Sequence, residues 1–144
     1  MGNPFVYYRI GSLSDLKRFP SCSVNSLDWH ADLAMIQRFY ARFNHAVNPD
    51  EFDRHVGSPL AIIQNGEIVS LAIPLSFREG EIEIGGVATV SDMQNKGCCK
   101  ALISEMAFRI LKQGKAATLT TEKDNLPMQR AAEWIGMKLL SKDA

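Results

Sequence analysis

Apolar residues along this chain switch between a two-residue spacing and a spacing of three to four, and each switch marks an expected element. Residues 5–10, FVYYRI, are β-branched or aromatic almost throughout and read as a first strand. The next stretch, residues 11–27, follows neither period and is expected to be irregular, with a helical turn at SDLKRF. From Asp28 onward, Trp29, Leu33, Ile36, Tyr40 and Phe43 recur every three or four residues. That stripe predicts an amphipathic helix that stops at Asn44 and covers one face of a sheet. Asn48-Pro49-Asp50 then opens a short second helix with Phe52 and Val56 as its apolar face and Gly57 as its end.

The middle of the chain reads as a meander. Residues 60–64 and 67–77 are joined by Asn65-Gly66, the pair favoured in two-residue type I′ hairpin turns. Arg78-Glu79-Gly80 turns the chain into a third strand, 81–90, whose internal Gly85-Gly86 predicts a bulge or a close backbone approach. This strand runs through SDMQNKG into a helix over 98–113 that carries Leu102, Met106, Ile110 and Leu111 on one face and ends at Gly114. A strand at 116–121 and a helix from Asn125 to about Gly136 follow. The order strand, helix, strand implies a parallel pair with a right-handed crossover.

With 144 residues, 46% hydrophobic and 22% charged, residues 1–144 are expected to form one globular domain. Sixteen basic and sixteen acidic residues cancel, which excludes the footprint of a non-specific nucleic-acid binder. No run approaches the roughly 18 apolar residues of a membrane span, and MGNPFVYYRIG has no basic segment followed by an apolar run. Gly2 is followed by Val6 where a myristoylation signal requires Ser or Thr. A cytoplasmic protein without a membrane partner is therefore expected. Three cysteines, two of them adjacent, make neither a disulfide framework nor a zinc motif, and His30, His45 and His55 share no ligand register, so no metal site is expected.

Candidate chemistry concentrates in Thr89 to Leu102, TVSDMQNKGCCKAL, where a strand feeds a glycine-containing loop directly into a helix. Helix N-terminal amides lack intrahelical acceptors and carry the positive end of the dipole, so this is an anion site, to which Lys96 and Lys100 add charge. The loop matches neither GxxxxGK[ST] nor GxGxxG. A plain strand-to-helix turn with solvated lysines remains the alternative on the loop alone.

Gln94-Asn95-Lys96-Gly97-Cys98-Cys99 resembles the Q/R-x-x-G-x-G/A phosphate loop of the GCN5-related N-acetyltransferases, except that Cys99 replaces the final small residue. The same family has an Asn opening the last helix and a Gly eleven residues later, as Asn125, Gly136 and Met137 have here. The resemblance covers about residues 59–140. It implies an α/β fold of the GNAT type: a mixed, mostly antiparallel sheet flanked by helices, with one splayed parallel strand pair at 81–90 and 116–121. It implies transfer of an acetyl group from acetyl-CoA to an amine acceptor, a small molecule or a peptide, by direct attack in a ternary complex, with no metal.

Carried over by position, the backbone of Val87 and Thr89 would pair with the pantetheine arm, and the Val87 amide would stabilise the oxyanion. The amides of Gln94, Asn95, Lys96, Gly97, Cys98, Cys99 and Lys100 would hold the pyrophosphate, and Asn125 would bond the pantetheine or the splayed strands. Glu83, four residues before Val87, resembles the family's glutamate base; the alternative is a solvated strand face shared with Glu81. Most family members carry a Tyr acid seven residues after the capping Asn, where this chain has Ala132. Ala132 and Cys99 together motivate a second expectation, a catalytically degenerate acyl-CoA binding or sensing module. Cys98-Cys99 at the helix start raises a further alternative, a nucleophilic thiol of lowered pKa. Finally, the family fold ends in a hairpin, whereas eight residues follow Gly136. A bare edge on strand 116–121, and hence a homodimer through MKLL or the edge beside it, is expected; the alternative is a monomer whose edge is covered by residues 11–27.

Overall fold

The computed structural model describes residues 4–19, 23–47 and 55–141. Among these residues, seven strands form one sheet in the order β2-β3-β4-β5-β6-β1-β7. They are β1 (Phe5–Ile10), β2 (Asn25–Ser26), β3 (Leu60–Gln64), β4 (Glu67–Arg78), β5 (Glu81–Thr89), β6 (Ala116–Glu122) and β7 (Lys138–Ser141). Among the described residues, three α-helices accompany them: α1 (Leu33–Ala41), α2 (Cys98–Lys112) and α3 (Leu126–Ile135). All neighbouring pairs are antiparallel except β5 and β6, which are parallel. The mixed sheet with one parallel pair is the architecture the resemblance implies.

Side-chain alternation assigns the two faces. Tyr8 on β1 donates to Glu133 of α3 at 2.7 Å, so Val6, Tyr8 and Ile10 face α3 while Tyr7 and Arg9 face away. Leu119 pairs with Tyr8 and is buried with it; α2 packs against α3 on the same side. On the opposite face Arg9 pairs with Glu81 at 3.0 Å. A Cβ placed on Gly86 would meet both the Tyr40 hydroxyl and Ile73 Cδ1, so α1 sits on the face that Ile73, Leu75 and Glu83 share.

Three expectations are corrected. The long helix does not begin at Asp28: the Asp28 carboxylate accepts from the amides of His30 and Ala31, both at 2.8 Å, and Asp32 Oδ2 accepts from the Asp28 amide at 2.8 Å. These bonds close a separate turn, hold the Asp28 carboxyl below its usual range, and delay the helix to Leu33. Trp29 therefore lies outside α1 and meets His55 in a tilted ring contact, with centroids 4.6 Å apart. Residues 25 and 26, expected to be irregular, form β2 against Leu60 and Ala61. Strand 116–121 has no bare edge: β1 pairs along it from Phe5–Glu122 to Ile10–Ala117, and β7 pairs with the far side of β1. The expected dimer through MKLL thus loses its premise. The expected short helix at 48–57 lies mostly outside the described residues. Among the described residues, no helix is long and apolar enough to cross a membrane.

Candidate functional site

The parallel ladder between β5 and β6 covers only Glu81–Glu83 against Ala116–Thr118, although both strands run on. Just past that point β5 bulges. Leu71 pairs with Ala88 and Ile73 with Gly85, so Gly86 and Val87 together oppose Ala72. Gly86 has φ +58, the left-handed first position of a glycine bulge. Its carbonyl accepts the Tyr40 hydroxyl at 2.6 Å, anchoring the bulge to α1.

Where the strands part, a groove of about 610 Å³ opens toward the starts of α2 and α3. Nine of the residues singled out in the sequence line it: Val87, Thr89, Gln94, Asn95, Gly97, Cys98, Cys99, Lys100 and Asn125. Lys96 does not line it. Glu83 lies on the same strand one turn of the pleat before the bulge, at the last rung of the parallel ladder.

The loop that enters α2 is shaped by two left-handed residues, Asn95 at φ +63 and Gly97 at φ +82. Gly97 is the N-cap and makes no side-chain cap bond, and the start of α2, with the positive end of its dipole, borders the groove. Gln94 braces the loop: its Nε2 donates to the Thr89 carbonyl at 3.1 Å. Asn125 caps α3, its Oδ1 accepting from the Met128 amide at 3.2 Å.

Several side chains do not sit as the sequence suggests. Lys100 lines the groove, but its Nζ stands 5.1 Å from the Trp134 ring centroid and 5.5 Å from that of Phe19, a cation-π placement away from solvated charge. Cys99 is packed with its Sγ 3.7 Å from Met128 Sδ, and burial pushes its thiol up to about 11. For Cys99 this runs opposite to the lowered thiol pKa expected at a helix start, because desolvation disfavours the thiolate. Ala132 is fully buried, so the position of the family's tyrosine faces the core.

Glu83 is half-buried rather than on a solvated face. Thr120 Oγ1 donates to its Oε1 at 3.0 Å. Burial raises the carboxyl above the ordinary glutamate value, opposed by the Thr120 bond and by the charge of Arg78. Glu81 is engaged by Arg9 instead.

Phe43, read from the sequence as part of a core-facing helix stripe, also lines the groove, and sequence reasoning missed Met93 there and Pro127, Met128 and Arg130 from α3. Arg130, five residues after Asn125, is exposed and lines the groove. The only signal for it was its place one turn beyond the capping Asn.

The model of the acetyltransferase (GNAT) family matches residues 26–137. No curated protein sequence matches the chain. Among solved structures, a GNAT-family protein from Novosphingobium aromaticivorans superposes with a TM-score of 0.80 at 13% identity, over 97% of this chain and 61% of that one. The ribosomal-protein-S18-alanine N-acetyltransferase from Escherichia coli gives 0.67 at 21% identity, over 83% and 79%. An aminoglycoside N-acetyltransferase in complex with CoA gives 0.64 at 12% identity, over 85% and 94%. These likenesses concern the fold, and the chain spans about three fifths of the length of the first.

Proposed function

Because the chain belongs to the GNAT acetyltransferase family, we propose that it moves an acetyl group from acetyl-CoA to an amine, a small molecule or a peptide, by direct attack with both substrates bound. The observation that carries this reading is the parting of β5 and β6 beyond Glu83 into a groove that continues to the start of α2. Its volume is in the range of small-ligand sites. Its donors suit a diphosphate: first-turn helix amides with no capping side chain, with Arg130 beside them. Acetyl-CoA, as substrate, supplies the activated acyl carbon and a thiolate leaving group.

In this reading the backbone of Val87 and Thr89 extends along the pantetheine arm, and the Val87 N–H polarises the acyl carbonyl. The amides from Gln94 to Lys100 bind the diphosphate, and Asn125 orients the arm. Glu83 takes the proton of the attacking amine, and burial raises its carboxyl above the ordinary glutamate value, the direction that strengthens a base. No hydroxyl is available at Ala132, and a thiol with pKa of about 8.5 leaves as thiolate without one. The cytoplasm, where free thiols such as Cys98 and Cys99 persist, is the compartment we assign.

The buried Ala132 favours one second reading, an acyl-CoA binding or sensing module without turnover. Thiol release from acetyl-CoA with a panel of amines separates the two: amine-dependent release supports the enzyme, and tight binding without it supports the module.

A further inference from the structure

Thr120 stands on β6 two residues beyond Thr118, the last partner in the parallel ladder. Alternation puts Thr118 and Thr120 on the face of Glu81 and Glu83, while Ala117, Leu119 and Thr121 turn to the other side and are buried. The Thr120 hydroxyl reaches back to Glu83 Oε1 at 3.0 Å. That bond spans β5 and β6 at the level where their backbone pairing stops, so it closes the apex of the wedge.

A free glutamate side chain samples many rotamers, and ordering it costs conformational entropy. A base must nevertheless present one oxygen to one proton. We infer that Thr120 is a positioning residue for the acyl-transfer step: its hydroxyl clamps Oε1 of Glu83 across the apex, leaving Oε2 to receive the amine proton. This rests on the reading of Glu83 as the base. Other groups bear on the same carboxylate. Arg78 lowers its pKa from β4, Glu81 neighbours it on β5 but is paired to Arg9 of β1, Tyr7 of β1 lies opposite Thr120, and His55 is bridged to Leu75, which pairs with Glu83. Among the described residues, the hydrogen-bond donor to the Glu83 carboxylate is the Thr120 hydroxyl.

Thr120→Val keeps the β-branched shape that suits a strand and removes the hydroxyl, whereas Thr120→Ser keeps the hydroxyl. Two readouts are compared: the Glu83 carboxyl titration in the ligand-free protein by carbon-detected NMR, and the pH profile of kcat/KM for amine acetylation. The expected result is a higher Glu83 midpoint in Thr120→Val, an acid limb displaced the same way, and a kcat roughly tenfold lower. KM for acetyl-CoA stays unchanged, and Thr120→Ser restores all three. Should the valine variant not fold, Thr120→Ala against Thr120→Ser reads the same difference. An unchanged midpoint and acid limb in Thr120→Val, with Glu83→Gln inactive, overturns the clamp and leaves the base standing. A Glu83→Gln variant at the parental rate overturns the base reading itself.

Discussion

The Tyr40 hydroxyl donates to the Gly86 carbonyl at 2.6 Å, joining the last turn of α1 to the left-handed residue of the β5 bulge. The next residue, Val87, lines the groove, so α1 fixes the backbone on which the proposed oxyanion donor sits. Tyr40→Phe keeps the ring and removes one bond, a loss of about 1 kcal/mol. Gly86→Ala loses about 1–3 kcal/mol, because φ is +58 and the new Cβ lies 2.6 Å from the Tyr40 hydroxyl and 3.2 Å from Ile73 Cδ1. Since half of that collision is with the hydroxyl, the double variant is expected to lose less than the sum. Urea denaturation of the four proteins measures the coupling.

Glu83 makes stability depend on pH with a definite sign. Its folded-state pKa is raised, so the folded protein holds this proton more tightly than the unfolded chain. From the ordinary glutamate value upward to the folded one, stability falls as pH rises, because ionised Glu83 is partly desolvated. Glu83→Gln removes that slope. Urea midpoints at pH 4 and pH 7 should diverge between parent and variant, the variant gaining on the parent at pH 7. In turnover, the same substitution should lower kcat by roughly a hundredfold with little change in acetyl-CoA affinity.

Gly136 closes α3 at φ +107, and a Cβ there would lie 2.0 Å from the Asp15 carbonyl oxygen. The neighbouring bond from the Lys17 amide to the Ile135 carbonyl, at 2.8 Å, holds the two segments together. Neither backbone can give without losing it. Gly136→Ala is expected to destabilise by about 3 kcal/mol or more, read as a loss of thermal midpoint.

Much of this architecture was legible because it is local. Asn65-Gly66 adopts φ +52 and +77 as its turn chemistry requires, and Gly97 and Asn125 sit at helix starts where their motifs put them. What escaped depends on residues far apart in sequence. Nothing near residue 116 reports that Phe5–Ile10 will insert between β6 and β7, and that insertion removed the expected bare edge. Lys100 reads as phosphate charge until Phe19 and Trp134 arrive beside it. Glu83 and Glu81 are equivalent in the strand pattern, and only Thr120 and Arg9 on other strands set them apart.

Cys99 is expected to be slow toward alkylation. With its thiol pushed up to about 11, only a minute fraction is thiolate at neutral pH, and the Met128 contact shields the sulfur. Residue-resolved mass spectrometry after iodoacetamide treatment should show labelling of Cys99 that accelerates with pH through 9 and beyond. Fast labelling at pH 7 would show the thiol to be activated instead.

Calorimetric titration of acetyl-CoA tests the central claim most directly, run on the parent chain and on Gly97→Glu. The substituted residue puts a carboxylate at the start of α2, against the proposed diphosphate site, at a strain of roughly 1 kcal/mol from its left-handed φ, which leaves the protein folded. The account predicts saturable one-to-one binding in the parent and none in the variant, with circular dichroism unchanged. Equal affinity in the two proteins, or no binding to the parent, would contradict it.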